Sequence, residues 1–178
     1  MTRAEFDRQV SRTLELFDKA GVVLTDEEKK NIEVCDHSIG IVEKVGIQLF
    51  TYVNTERVCA KEIALTPWQT CPEHKHVPTN GMAGKEETFR CRYGKVFLYV
   101  PGDGRREDIQ ARIPETDVSV FHEIVLTPGE QYTIMPETFH WFQAGEGGAV
   151  ISEFSTKSTD ETDEFTDPRL IREPNIED

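Results

Sequence analysis

Apolar positions recur at two different periods along this chain, and the period changes near residue 40. Before that point Phe6, Val10, Leu14 and Phe17 fall at helical spacing and so share one face of an amphipathic helix. The capping-box signature Thr2-Arg3-Ala4-Glu5 marks its start, and Gly21 is a natural stop. A further signature, Thr25-Asp26-Glu27-Glu28, predicts another helix running into the Ile32 region. Neither helix carries a catalytic constellation. We expect them to pack on the main domain or to build a dimer contact.

Beyond Gly40 the texture is that of strands. Residues 47–53 and 58–65 are β-rich runs around the polar turn Asn54-Thr55-Glu56, and further strands are predicted at 88–100, 119–126, 131–134 and 149–154. Pro and Gly punctuate them at Pro101-Gly102-Asp103-Gly104, at Pro128-Gly129 and over 145–148. Short strands separated by such turns predict an antiparallel sandwich or barrel, and the absence of an internal repeat predicts one barrel. The expected organisation is a mainly β single domain: an N-terminal helical extension over 1–40, then a β-barrel over 41–178. Its acidic closing segment, 155–178 with Pro168 and Pro174, reads as a draped extension or a partly disordered tail.

The length of 178 residues suits one domain with a sizeable core. A net charge of -13 argues against nucleic acid and anionic membrane surfaces as partners, since both reward a basic face. No apolar run is long enough to span a membrane, and the N-terminus lacks a signal-peptide core, so a cytoplasmic location is expected. Cys35, Cys59, Cys71 and Cys91 show no metal-binding or redox spacing and read as free thiols, with Cys71 close enough in sequence to His74 to approach a metal there.

The chemistry concentrates in His74-Lys75-His76. In an extended segment residues two apart share a face, so both imidazoles can reach one ion. A loop sequence, 77–86, can return a carboxylate to the same ion, with Glu87 and Glu86 competing because adjacent strand residues face opposite ways. His140, after Pro136 and before Trp141-Phe142, completes a set of three imidazoles and one carboxylate; His37 and His122 lack such context and read as structural or exposed. This donor set suits Mn, Fe, Co, Ni or Zn and leaves room for a bidentate substrate with two adjacent oxygens. Lewis-acid polarisation of a carbonyl or hydroxyl is the natural role. Trp141 and Phe142 read as barrel wall or as a stacking platform for a substrate.

These residues resemble the cupin family. The first cupin motif, H-x-H, a spacer, Glu, six residues and Gly, is met by His74, His76, Glu87 and Gly94, a spacing that selects Glu87 over Glu86. The other cupin motif, a Gly followed by Pro and later His, is similar to Gly129, Pro136 and His140. The spacer after His76 is longer than in many cupins. More closely, 85–91, 136–143, 152–156 and 162–169 resemble cupin-type D-lyxose isomerases, a likeness that covers roughly residues 60 to 178. The resemblance implies a metal-dependent aldose–ketose isomerase acting on D-lyxose and D-xylulose, and on D-mannose and D-fructose, with Mn²⁺ preferred and Co²⁺, Fe²⁺, Ni²⁺ or Zn²⁺ as alternatives. It implies His74, His76, Glu87 and His140 as metal ligands, Glu153 as the base that moves a proton between C2 and C1, and Lys85 as a donor to the substrate oxygens. Asp163 and Arg169 resemble substrate-pocket residues. A homodimer is the expected assembly. The competing functions are a cupin dioxygenase, which needs no carbon base, and a non-catalytic sugar-binding cupin.

Overall fold

In the computed structural model, which describes residues 1–173 and Ile176, helix α1 (Arg3–Lys19) begins where the capping box predicts. The Glu5 amide donates to Thr2 Oγ1 (3.2 Å) and the Thr2 amide to Glu5 Oε2 (2.7 Å). Leu16 and Phe17 are buried at its end, with Phe6, Val10 and Leu14 partly buried beside them. The capping box at Thr25 makes the same reciprocal bonds, Glu28 amide to Thr25 Oγ1 and Thr25 amide to Glu28 Oε2. It opens only one 3₁₀ turn, Glu28–Asn31, rather than the expected helix. Ile32 turns extended there, and strand β1 (Glu33–Cys35) pairs with β2 (Ile47–Asn54), so tertiary pairing overrides the local helix signal.

The remaining strands are β2 (Ile47–Asn54), β3 (Cys59–Leu65), β4 (Thr70–Lys75), β5 (Glu87–Val100), β6 (His122–Leu126), β7 (Gln131–Ile134), β8 (His140–Ser155) and β9 (Glu164–Phe165). All strand pairings are antiparallel, in one nine-stranded sheet with the order β1-β2-β3-β8-β4-β9, and β5 joins through β6, β7 and β8. The sheet curls so that Leu49, Ile63, Cys71, Phe89, Ile134, Phe142 and Ile151, from six strands, meet in one interior cluster. On its outer face Phe50, Ala64 and Val150 receive Leu16 and Phe17 of α1.

β8 is the spine. Its first residues pair with β4, its last seven with β3, and β5 runs along its whole length. The glycines at 145–148, expected as a turn, lie inside this strand. The register shifts near Gly94 because two backbones approach closely: Gly94 has φ +75°, and a Cβ there would stand 2.0 Å from the Gly148 carbonyl oxygen. Residues 119–121, expected to begin a strand, instead form a loop over the barrel, with the Ser119 and Val120 amides donating to the buried Glu73 carboxylate (2.8 and 3.0 Å). The acidic segment is draped: Thr166 Oγ1 donates to the same carboxylate (2.5 Å), and β9 pairs with β4. Pro174, at the end of that segment, lies outside the described residues. Among the described residues no helix is long and apolar enough to cross a membrane.

Candidate active site

The pairing of β4 with β8 sets His74 opposite His140, with ring centroids 4.3 Å apart. His76, just past the end of β4, falls on the same face, its ring 5.0 Å from His74 and 5.3 Å from His140. Each imidazole is held from behind through Nδ1: His74 lies 2.8 Å from the Pro72 carbonyl, His140 2.9 Å from the Thr138 carbonyl, and His76 2.6 Å from Asp163 Oδ1. A carbonyl only accepts, so His74 and His140 each donate through Nδ1, and that bond turns Nε2 of each ring toward the interior. The three ligand nitrogens lie within 4.8 Å of one another. Glu87 opens β5 facing the interior, with Oε1 3.1 Å from His76 Nε2 and 3.0 Å from His140 Nε2. His140 Nε2 is buried without a hydrogen-bond partner among the described residues. These donors fit a first-row divalent ion, three imidazoles and a carboxylate with no thiolate. Glu86 faces solvent, as the period of two requires. Cys71 lines the pocket, but burial pushes its thiol well above the ordinary range, which keeps it protonated.

Next to Glu87 lies a buried charge cluster. Lys85 Nζ contacts Glu87 Oε2 (2.8 Å), Glu153 Oε1 (3.1 Å) and Asp160 Oδ1 (3.0 Å). Burial opposes its charge, but Asp160, Glu153 and Glu87 hold its pKa well above the usual lysine value, so it is an ammonium. Burial likewise works against Glu87 and Asp160, yet Lys85, aided by His76 for the first and Lys61 and Arg172 for the other, keeps both ionised. Glu153 faces inward from β8, cross-strand from Phe89 and Lys61, and Ser155 Oγ donates to its Oε1 (2.9 Å). Asp163, which the buried pocket raises, accepts from or shares a proton with His76.

A family model described as D-lyxose isomerase matches residues 99–178. Over 170 residues the chain is 58% identical to the D-lyxose/D-mannose isomerase of Thermosediminibacter oceani, covering 94% of this chain and 93% of that one. It is 55% identical over 180 residues to the D-lyxose ketol-isomerase of Cohnella laeviribosi, covering 99% and 98%. The chain belongs to the D-lyxose isomerase family. Among solved structures it resembles the L-ribose isomerase of Acinetobacter sp. DL28 in complex with L-ribose (TM-score 0.74, 15% identity, 99% of this chain and 98% of that one). The ligand-free L-ribose isomerase of Cellulomonas parahominis is similar (TM-score 0.73, 14% identity, 99% and 98%). At this identity the likeness concerns the fold, a curled, mainly antiparallel β architecture with an N-terminal helix.

In this member of the D-lyxose isomerase family, Lys85, Glu153, Asp163 and the four candidate ligands come together as the sequence predicts, all but His140 lining one enclosed pocket. Two expected substrate contacts do not. Trp141 points to the outer face because alternation along β8 turns His140 and Phe142 inward; it stacks on Tyr99 (4.0 Å) and donates Nε1–H to the Val120 carbonyl. Arg169 is outside the pocket, bound to Asp167 (2.5 Å) and to the Glu115 carbonyl. Four residues were not foreseen: His37, Asp160 and Arg172, which line the pocket, and Lys61, which stands beside Glu153. Lys61 had a signal, since it shares a face of β3 with buried Cys59 and Ile63; Nζ now pairs with Asp160 (2.5 Å) and stands 3.8 Å from Glu153. Asp160 and Arg172 sit in an acidic segment without periodicity and gave none. His37, read as structural or exposed, is buried at the pocket wall.

Proposed function

We propose that this protein is a metal-dependent aldose–ketose isomerase that interconverts D-lyxose and D-xylulose, and D-mannose and D-fructose. The observation that carries the reading is the buried Lys85–Glu153 pair beside Glu87 and the histidines, a proton-moving pair next to a metal-ligand set. His74, His76, His140 and Glu87 would hold a divalent ion, Mn²⁺ in our reading, which as a Lewis acid makes the C–H between two oxygenated carbons more acidic.

The chain's own groups do the rest. Glu153, as a carboxylate, accepts the proton from C2 of the aldose and returns it to C1, so an enediol lies between the two transfers. Lys85, kept charged by its acidic neighbours, donates to O1 as that oxygen gains charge and recovers a proton from O2. Lys61 and Ser155 hold the Glu153 carboxylate in place. The draped segment contributes Asp160, Asp163 and Arg172 to the pocket wall. A dioxygenase would have no task for Glu153.

The test compares wild type with Glu153→Gln, an isostere that keeps a hydrogen-bonding group. Wild type should form ketose from D-lyxose and D-mannose. The variant should lose at least about 100-fold in turnover with unchanged metal content. A variant as active as wild type, or a wild type that forms no ketose from any free aldose, contradicts the proposal.

A further inference from the structure

His37 enters the pocket from the N-terminal segment, away from the histidine cluster. It is 1% exposed and lines the same enclosed space as His74, Lys85 and Glu153. Its Nδ1 is buried and has no hydrogen-bond partner among the described residues. No hydrogen bond or ion pair among them joins it to Lys85, Glu87 or Glu153, so it stands apart from the groups that move protons. A buried polar nitrogen left unpaired is costly, and such groups in a native pocket point to a ligand.

The backbone supports this. His37 and Ser38 both adopt left-handed conformations (φ +51° and +59°), which non-glycine residues take at some cost. They are pinned there: the Ser38 amide donates to Asp36 Oδ1 (3.1 Å), and the Ile171 amide donates to the His37 carbonyl (3.1 Å). Strain of this kind persists where the surroundings over-determine it, and it clusters at ligand sites. The Phe165 ring meets the imidazole edge-on at 5.5 Å and fixes its plane. Burial first, and then the Arg172 charge, keep the ring neutral, with its pKa pushed down to about 3. A neutral imidazole carries one donor and one acceptor, the complement of a hydroxyl and not of a carboxylate or phosphate.

We propose that His37 is a substrate-binding residue, taking a hydroxyl of the sugar remote from the reacting C1 and C2 through its neutral imidazole. The assignment rests on the isomerase reading and adds a specificity determinant to it. His37 contributes ground-state and transition-state binding alike and takes no part in proton transfer.

The experiment measures steady-state kinetics of wild type, His37→Phe and His37→Asn with D-lyxose and with its 3-, 4- and 5-deoxy analogues. Asparagine tolerates left-handed backbone and keeps the test alive if the phenylalanine variant does not fold. The variants should show KM raised about tenfold with kcat within about threefold, the pattern of lost uniform binding. One deoxy analogue should be handled about tenfold less well than D-lyxose by wild type but equally well by the variants. An unchanged KM, or variants that discriminate among the analogues as wild type does, overturns the role of His37. A wild type that turns over no aldose refutes the isomerase reading instead. In that event calorimetric titration with D-lyxose decides for His37 if the variants bind about tenfold more weakly, and against it if they bind equally.

Discussion

Glu87 and Trp141 show how far single residues can be read from sequence. The period of two allowed only one of Glu86 and Glu87 to face inward, the cupin spacing to Gly94 selected Glu87, and the same rule, applied from His140, would have turned Trp141 away from the pocket. Lys61 was open to the same reasoning. Asp160 and Arg172 were not, because a polar segment without periodicity carries no information about which of its charges is folded inward. His37 has a measurable thermodynamic signature. Its pKa is about 3 when folded, against about 6.5 when unfolded, so between those values the unfolded chain binds the extra proton and acid favours unfolding. Stability from this residue is complete above pH 6.5 and declines below it, by about 2 kcal/mol at pH 5. Urea unfolding at pH 7 and pH 5 should therefore show a steeper loss in wild type than in His37→Asn; equal losses would contradict the buried, neutral imidazole.

At the level of elements, the helix and strand periods were legible, whereas boundaries yielded to tertiary pairing. The Thr25–Glu28 box formed its bonds yet yielded one 3₁₀ turn, since β1 gains a ladder with β2 only if the chain extends at Ile32. The glycines of β8 resembled a turn because glycine serves both turns and close backbone approaches, and sequence does not separate the two. Gly94 is of the latter kind. Alanine there would face a left-handed φ and a carbonyl oxygen at 2.0 Å that belongs to the spine strand. Gly94→Ala should cost at least about 2 kcal/mol and lower Tm by about 4–8 °C. A Tm within a degree of wild type would mean that β5 and β8 are not locked together at this point.

On the scale of the molecule, the pocket is assembled from the N-terminal segment (His37), the barrel strands and the loop leading into β5 (His74, Glu87, Glu153 and Lys85) and the draped segment (Asp160, Asp163, Arg172). The resemblance pointed to the barrel residues that cluster here, and conveyed less of the two flanking segments, whose contributions depend on long-range closure. Metal binding links this assembly to pH. Burial opposes charge on His76, but the Glu87 carboxylate and the Asp163 contact raise its pKa to about 9. A metal ligand must be deprotonated, so binding displaces this proton and affinity rises with pH up to about 9. The increase in Tm produced by a fixed Mn²⁺ concentration should accordingly be larger at pH 8 than at pH 6.5. Equal increases would argue that His76 is no ligand.

The central claim is that a carboxylate of this chain carries a proton between C2 and C1 of a free aldose. It is tested most directly by following D-lyxose with metal-supplemented protein in D₂O by NMR. A proton held on a carboxyl group exchanges with solvent in a fraction of turnovers, so over many turnovers deuterium should accumulate at C1 of the D-xylulose formed and at C2 of the recovered D-lyxose, as it would not in a hydride shift. Ketose formed without any deuterium, or no ketose at all, would contradict the account.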